Sequence, residues 1–268
     1  MKFSVLMSVY IKEKPIFLDR CLNSIANQSV RPNEIILVLD GFIKDELHAV
    51  INKWSKLLPL KTFQLKHNVG LGRALNFGLN KCKYDLVARM DTDDICLPFR
   101  FEYQLNKFKM NKKLSICGSH IIEIEPDNMN ILGKRVVPLK HDKILKSLIW
   151  KNPFNHMTVM YRKQDVNDVG GYIDLPWMED WYLWLRLLSN GYTSCNINQI
   201  LVIARTGNLM LNRRKGMSYI HSEWLMTKYK MESKKFSSVL CLLAFIKRSL
   251  PRLLPNKILS FVYSCSRV

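Results

Sequence analysis

EIILVLDG, residues 34–41, sets five consecutive large aliphatic side chains before an acid and a glycine. An apolar run with no polar alternation is the pattern of a strand covered on both faces, as in a parallel sheet flanked by helices. Upstream, Phe3–Val9 reads as a strand, and Leu18, Leu22 and Ile25 then recur at helical spacing. Downstream, Leu47–Leu58 has helical periodicity, Leu60–Leu65 is extended, Leu71–Asn80 is helical and Asp85–Met90 is extended again. The β-α-β-α-β-α-β order predicts a parallel sheet with helices on both sides. Such sheets bind ligands beyond the C-terminal ends of their strands. The positions there are Val9–Tyr10, Asp40–Gly41, the His67–Gly72 loop and Asp91–Asp94.

The second half is less regular. Ser115–Glu125 and Ile131–Pro138 read as strands around a turn, Asp142–Trp150 as a short helix and Met157–Tyr161 as a strand. Glu179–Asn190 is an amphipathic helix, Leu201–Arg205 extended and Gly216–Lys230 helical. The 268 residues suffice for one α/β domain with an appendage. We expect a domain over 1–232, in two halves (1–110 and 111–232), and a distinct tail over 233–268. Forty-one Lys and Arg against 22 Asp and Glu leave a formal charge of +19, which fits nucleic acid, an acidic membrane face or a phosphate-bearing substrate. The seven scattered cysteines have no CxxC spacing, which disfavours zinc and disulfide frameworks and fits a reducing cytosol. The N-terminal apolar run is too brief for a signal peptide, and no run approaches the roughly 18 residues of a membrane span.

Asp91, Asp93 and Asp94, in MDTDD, put three carboxylates in four positions. Their mutual repulsion calls for a cation or donors, and a divalent metal holding a diphosphate would serve; an Asp-rich cap for the next helix is the plainer alternative. Asp40 is placed to accept from a base N–H or ribose hydroxyl, or simply to turn the chain. NVGLGRALNFGL (68–79) opens a helix after a strand but does not match GxGxxG, so it reads as a nucleotide-side loop with Arg73 available to the donor. Glu179 and Asp180 begin a helix: both acids suit a helix N-terminus, and Asp180 also suits a general base. Trp177 and Trp181 offer flat faces for a sugar ring, while Trp184 is expected in the core. His156 is either structural or near the metal or acceptor. Arg213 and Arg214 are either a diphosphate clamp or a solvated loop. In the tail, Phe236, Val239, Leu240, Leu242, Leu243, Phe245 and Ile246 precede Lys247, Arg248, Arg252 and Lys257. That pattern fits an interfacial helix on an anionic bilayer, or a helix packed back on the domain.

FSVLMSVY, VLDG, NVGLGRALNFGL, MDTDD and the ED of MEDWYLWLRLL, in this order, resemble glycosyltransferase family 2 over roughly residues 2–230. The likeness is nearest to non-processive bacterial enzymes of O-antigen and exopolysaccharide repeat-unit synthesis, amylovoran-type transferases among them. The resemblance implies an α/β GT-A fold, a Rossmann-like nucleotide-diphospho-sugar transferase with a mostly parallel central sheet and here a C-terminal amphipathic tail. It implies Tyr10 and Asp40 in the uridine pocket and Asp91, Thr92 and Asp93 as the DXD element, with Asp93 and Asp91 ligating Mn²⁺ or Mg²⁺. Asp180 becomes the base of an inverting transferase, and Glu179, Trp181 and His156 neighbour the acceptor. Ile11 replaces the usual polar residue after Tyr10, and the QxxRW element of processive synthases is absent; Arg213 and Arg214 stand in a loosely comparable place. The expected partners are UDP-galactose or UDP-glucose and a sugar on a polyprenyl diphosphate, joined β1,3, at the cytoplasmic face of the bacterial inner membrane without nucleic acid. A nucleotidyltransferase and a basic nucleic-acid-binding protein are the rival classes. The first lacks its Gly- and Lys/Arg-rich loop after Val9, and the second lacks zinc patterns, basic helices and RNP-like aromatics.

Overall fold

Every residue of β2 (Glu34–Leu39) is buried, as its unbroken aliphatic run predicts. In the computed structural model, which describes residues 1–206 and 217–253, β2 lies between β1 (Phe3–Val9) and β3 (Leu60–Gln64), and β4 (Leu86–Arg89) flanks β1 on its other side. All three pairings are parallel. Side chains alternate between the faces. Val5, Met7, Ile35 and Leu37 join α1 (Pro15–Ala26), α2 (Asp45–Ser55) and α4 (Arg100–Met110) in one core. Leu6, Ile36 and Val38 join α3 (Leu71–Lys81) and α7 (Glu179–Ser189) in the other.

Beyond β4 the sheet becomes mixed. β8 (Met160–Arg162) pairs antiparallel with β4 and with β6 (Leu114–Ile124), and β6 runs parallel to the long β9 (Thr193–Arg205). β7 (Ile131–Arg135) and β5 (Ile95–Cys96) add antiparallel edges to β6 and β9. The sheet is therefore parallel in the half whose strands are joined by helical crossovers and mixed elsewhere. Short α5 (His141–Ser147), a 3₁₀ turn (His156–Thr158) and α6 (Lys163–Asp168) complete this half. The strand expected over Met157–Tyr161 is thus a turn followed by β8.

Two C-terminal helices close the described structure, α8 (Met217–Glu232) and α9 (Ser238–Ser249), the latter ending in a 3₁₀ turn over Leu250–Leu253. α9 buries Cys241 and Ala244 and leaves Val239, Leu242, Leu243 and Ile246 exposed. Trp224 of α8 meets Phe245 of α9 edge-to-face at 5.3 Å. The boundary expected at 232/233 falls between these two packed helices. Arg213, Arg214 and the tail beyond 253 lie outside the described residues. No described helix is long and apolar enough to cross a membrane.

Candidate active site

The end of β4 delivers Asp91, Asp93 and Asp94 to the C-terminal edge of the parallel strands. One ligand oxygen from each lies within 4.8 Å of the others. Burial and like charge drive the Asp93 carboxyl up to about 7 and Asp94 well above the usual range. Asp94 Oδ1 accepts the backbone N–H of Arg205 at 2.8 Å, while its buried Oδ2 has no partner among the described residues. An orphaned carboxylate oxygen facing two further acids is a donor set that suits a hard divalent cation.

Three charged residues absent from the sequence expectations surround the cluster. Arg89, wholly buried on β4, pairs with Asp91. The Arg205 guanidinium donates to the Asp93 carbonyl and lies 4.4 Å from the Phe17 ring centroid. Glu13 accepts the Thr92 hydroxyl, and burial raises its carboxyl. Only the spacing of Arg89, two residues before Asp91 and on the opposite phase from Ala88, would have flagged any of them. Glu13 and Arg205 come from distant parts of the chain.

The loop after β2 holds itself in place through Asp40. Asp40 Oδ1 accepts the Val69 N–H at 2.7 Å, and Oδ2 accepts the Gly70 N–H at 3.1 Å and Asn68 Nδ2 at 3.0 Å. Asp40 thus binds together two of the strand ends expected to meet the nucleotide. Gly41 has φ +79°, and a Cβ there would lie 2.6 Å from Asn68 N, so glycine alone fits the crossing. Tyr10 stands half-buried at the end of β1. Arg73 does not point free toward a donor: its guanidinium pairs with Asp174 at 2.8 Å on the surface.

Glu179 and Asp180 occupy the first turn of α7. Asp180 Oδ1 accepts the Trp181 N–H at 2.7 Å and Oδ2 accepts Asn152 Nδ2 at 2.6 Å. Burial and Asp180 push Glu179 up to about 7. A Cβ on Gly72 would lie 3.2 Å from Glu179 Cβ, so the nucleotide-side loop abuts the acid pair. Arg89 joins the two halves electrostatically, acting on Asp91, Asp93 and Asp94 on one side and on Glu179, Tyr172 and His156 on the other.

Two acceptor assignments change. Trp181 is 3 % exposed and its ring faces Lys230 and Arg248, so it presents no surface to a sugar. The exposed aromatic beside the pair is Trp177, 47 % accessible and held at φ 70°, a left-handed backbone that costs on the order of 1–2 kcal/mol for a bulky residue. His156 bonds Tyr172 Oη at 3.1 Å and meets the Trp184 ring; burial then Arg89 hold its imidazole well below the usual range, which keeps it neutral. Trp184 is fully buried, as expected.

The chain matches the model "Glycosyl transferase family 2" over residues 4–170. It is 41% identical over 265 residues to the amylovoran biosynthesis glycosyltransferase AmsE of Erwinia amylovora, covering 99% of both chains. It is 40% identical over 264 residues to the UDP-Gal:alpha-D-GlcNAc-diphosphoundecaprenol beta-1,3-galactosyltransferase of Escherichia coli, covering 98% of this chain and 95% of that one. Its fold is similar to that of S. aureus TarS 1-349 in complex with UDP-GlcNAc, with a TM-score of 0.73 at 18% identity over 96% of this chain and 77% of the other.

Proposed function

The chain belongs to glycosyl transferase family 2, and from that premise we propose that it moves a hexose from a UDP-sugar to a sugar on a polyprenyl diphosphate, with inversion, in surface-polysaccharide repeat-unit synthesis. The observation that carries this reading is the Asp91/Asp93/Asp94 cluster at the end of β4, with Asp180, bound by Asn152 at the start of α7, as the second half of the site. One half suits a sugar diphosphate and the other a proton acceptor. Galactose or glucose in a β1,3 linkage follows from the relatives by analogy alone.

Asp93 and Asp91, with Asp94 Oδ2 beside them, would hold Mn²⁺ or Mg²⁺. Such an ion supplies charge neutralisation to the leaving diphosphate. Thr92, fixed by Glu13, shapes the same turn. Tyr10 and the Asp40-bound loop form the uridine side. Asp180, oriented by Asn152 and the Trp181 N–H, takes the proton of the acceptor hydroxyl. That oxygen bonds to the anomeric carbon as the bond to the β-phosphate oxygen breaks, and UDP leaves with the electron pair. An α-linked donor gives a β-linked product. Trp177 offers the acceptor ring an apolar face, and Glu179 stands beside the base. The exposed apolar face of α9 and the net basic charge support peripheral attachment to an anionic membrane on the cytoplasmic side.

The test is a panel of UDP-sugars with synthetic GlcNAc- and GalNAc-diphosphate-lipids, read by mass and linkage analysis, with and without chelator. Transfer with UDP release is expected, cut by about 10²- to 10⁴-fold in Asp180→Asn while UDP binding persists; Trp177→Ala should raise the acceptor KM alone. Near-normal turnover by Asp180→Asn would remove Asp180 from the chemistry. Diphosphate release in place of UDP would favour a nucleotidyltransferase.

A further inference from the structure

The two donors that orient Asp180 are themselves anchored by one pair of cations from the C-terminal helices. Trp181, whose backbone N–H donates to Asp180 Oδ1, is pinned through its ring, with Lys230 Nζ at 4.5 Å and the Arg248 guanidinium carbon at 4.4 Å from the ring centroid, which fixes the first turn of α7 that carries both groups. Asn152, which reaches Oδ2, follows a segment held by the same residues. Lys230 Nζ donates to the Ile149 carbonyl at 3.1 Å, and Arg248 Nη1 donates to the Trp150 carbonyl at 3.3 Å.

These cations are built in, not adventitious surface charge. Lys230 is wholly buried, and burial brings its ammonium down to about 8. The Arg248 guanidinium spends Nε on both oxygens of buried Glu223, at 2.8 and 2.9 Å, and Nη2 on Tyr219 Oη at 2.9 Å. Burying Lys230 and Glu223 beside a partly buried Arg248 is costly unless geometry is satisfied, and an apolar contact would hold two helices more cheaply. Here the arrangement places charge over the ring of Trp181, the residue that directly follows the acid pair.

We propose that Arg248 of α9 and Lys230 of α8 are positioning residues for the Asp180 carboxylate, so that α9 is part of the catalytic unit and not a detachable anchor. The inference rests on the reading of Asp180 as the base. Misplacing a reacting group by about an ångström costs on the order of 100-fold in rate. Released from its clamp, the Trp181–Asn152 cradle leaves Asp180 in place on average but less narrowly held.

The full chain carrying Arg248→Met with Glu223→Gln, which leaves no orphaned buried acid, is compared with Arg248→Lys, Asp180→Asn and the combination. A fall in kcat of about 10- to 100-fold is expected for the Met/Gln pair, with the donor KM, UDP affinity and melting transition near wild type. Arg248→Lys should recover part of kcat, because it keeps a cation near Trp181. In the Asp180→Asn background the Met/Gln pair should cost no more, since residues acting through one group are not additive. Unchanged kcat in the folded Met/Gln variant overturns the proposal. So does a loss that tracks UDP affinity or melting, or one that adds in full to Asp180→Asn. Near-normal turnover by the Asp180→Asn enzyme instead brings down the base reading itself.

Discussion

Glu179 and Asp180 are neighbours in one helical turn, yet their surroundings ask different things of them. Asp180 is given two donors, whereas Glu179 faces burial first and the charge of Asp180 second, which drives its carboxyl up to about 7. A carboxyl ionising near 4.5 unfolded and near 7 folded carries no penalty below about pH 4.5. The penalty grows as pH rises and is complete above about 7. Glu179→Gln should therefore melt like wild type near pH 4.5 and be more stable at pH 8, by on the order of 1–2 kcal/mol in so partly solvated a group. Thermal melts at the two pH values with chelator present check this; equal stability at pH 8 would mean that Glu179 is relieved by a partner. At this scale the sequence was legible where a residue sits in a dense local motif. Asp91, Asp93 and Asp180 all end or begin an element at the ligand edge. Arg89 was legible only through its two-residue spacing from Asp91, and Glu13 and Arg205 were not, because a lone acid or an arginine at the end of a strand looks like any surface charge until its distant partners are known. The face of Trp181 was misjudged for the same reason, since its covering cations come from residues 230 and 248.

The parallel half was readable as elements because each strand there carries its own signature, an aliphatic run followed by a periodic helix. Boundaries in β1, β2, β3 and α3 fall within a residue or two of expectation. The mixed half gave less, because β8 is three residues long and the first part of β9, NINQ, carries polar residues that mask its pairing with β6. α4 was missed altogether, its RFEYQLNKFKM pattern diluted by charge although Phe101, Leu105 and Phe108 are buried. The element on which the donor side depends most is α3. A Cβ on Gly78 would lie 2.6 Å from Leu6 Cδ1 and 2.7 Å from Val38 Cγ2, so the glycine sets how closely α3 approaches β1 and β2. Gly78→Ala should cost about 1–3 kcal/mol by overpacking, beyond any gain in helix propensity. Because α3 begins at the Asp40-bound loop, the same variant should weaken UDP binding more than it changes acceptor KM. Calorimetric titration with UDP and a denaturant melt check both, and a stabilised variant with unchanged UDP affinity would show that α3 shifts freely.

At the scale of the molecule, the tail was expected either to lie on a bilayer or to pack back on the domain, and α9 has a face suited to each. Its inner side buries Cys241 and Ala244 and sends Arg248 to Glu223, while its outer side exposes Val239, Leu240, Leu242, Leu243 and Ile246 beside Lys247. Five aliphatic side chains left in water on one short helix are unfavourable unless something covers them, and a surplus of 19 positive charges selects an anionic cover. The apolar contribution does not depend on salt, and the electrostatic one does. Binding to vesicles with anionic lipid should therefore weaken as salt rises without vanishing, and neutral vesicles should bind weakly at any salt. Replacing Leu242, Leu243 and Ile246 together with Ser should remove the salt-resistant part while leaving turnover on a detergent-dispersed acceptor intact, since all three side chains are exposed and the clamp is made by Lys230 and Arg248. Cosedimentation with vesicles of defined composition reads the first effect and the transfer assay the second. Undiminished binding by the triple variant would move the membrane contact elsewhere on the basic surface, whereas lost turnover in dispersed acceptor would mean that the outer face of α9 also supports the fold.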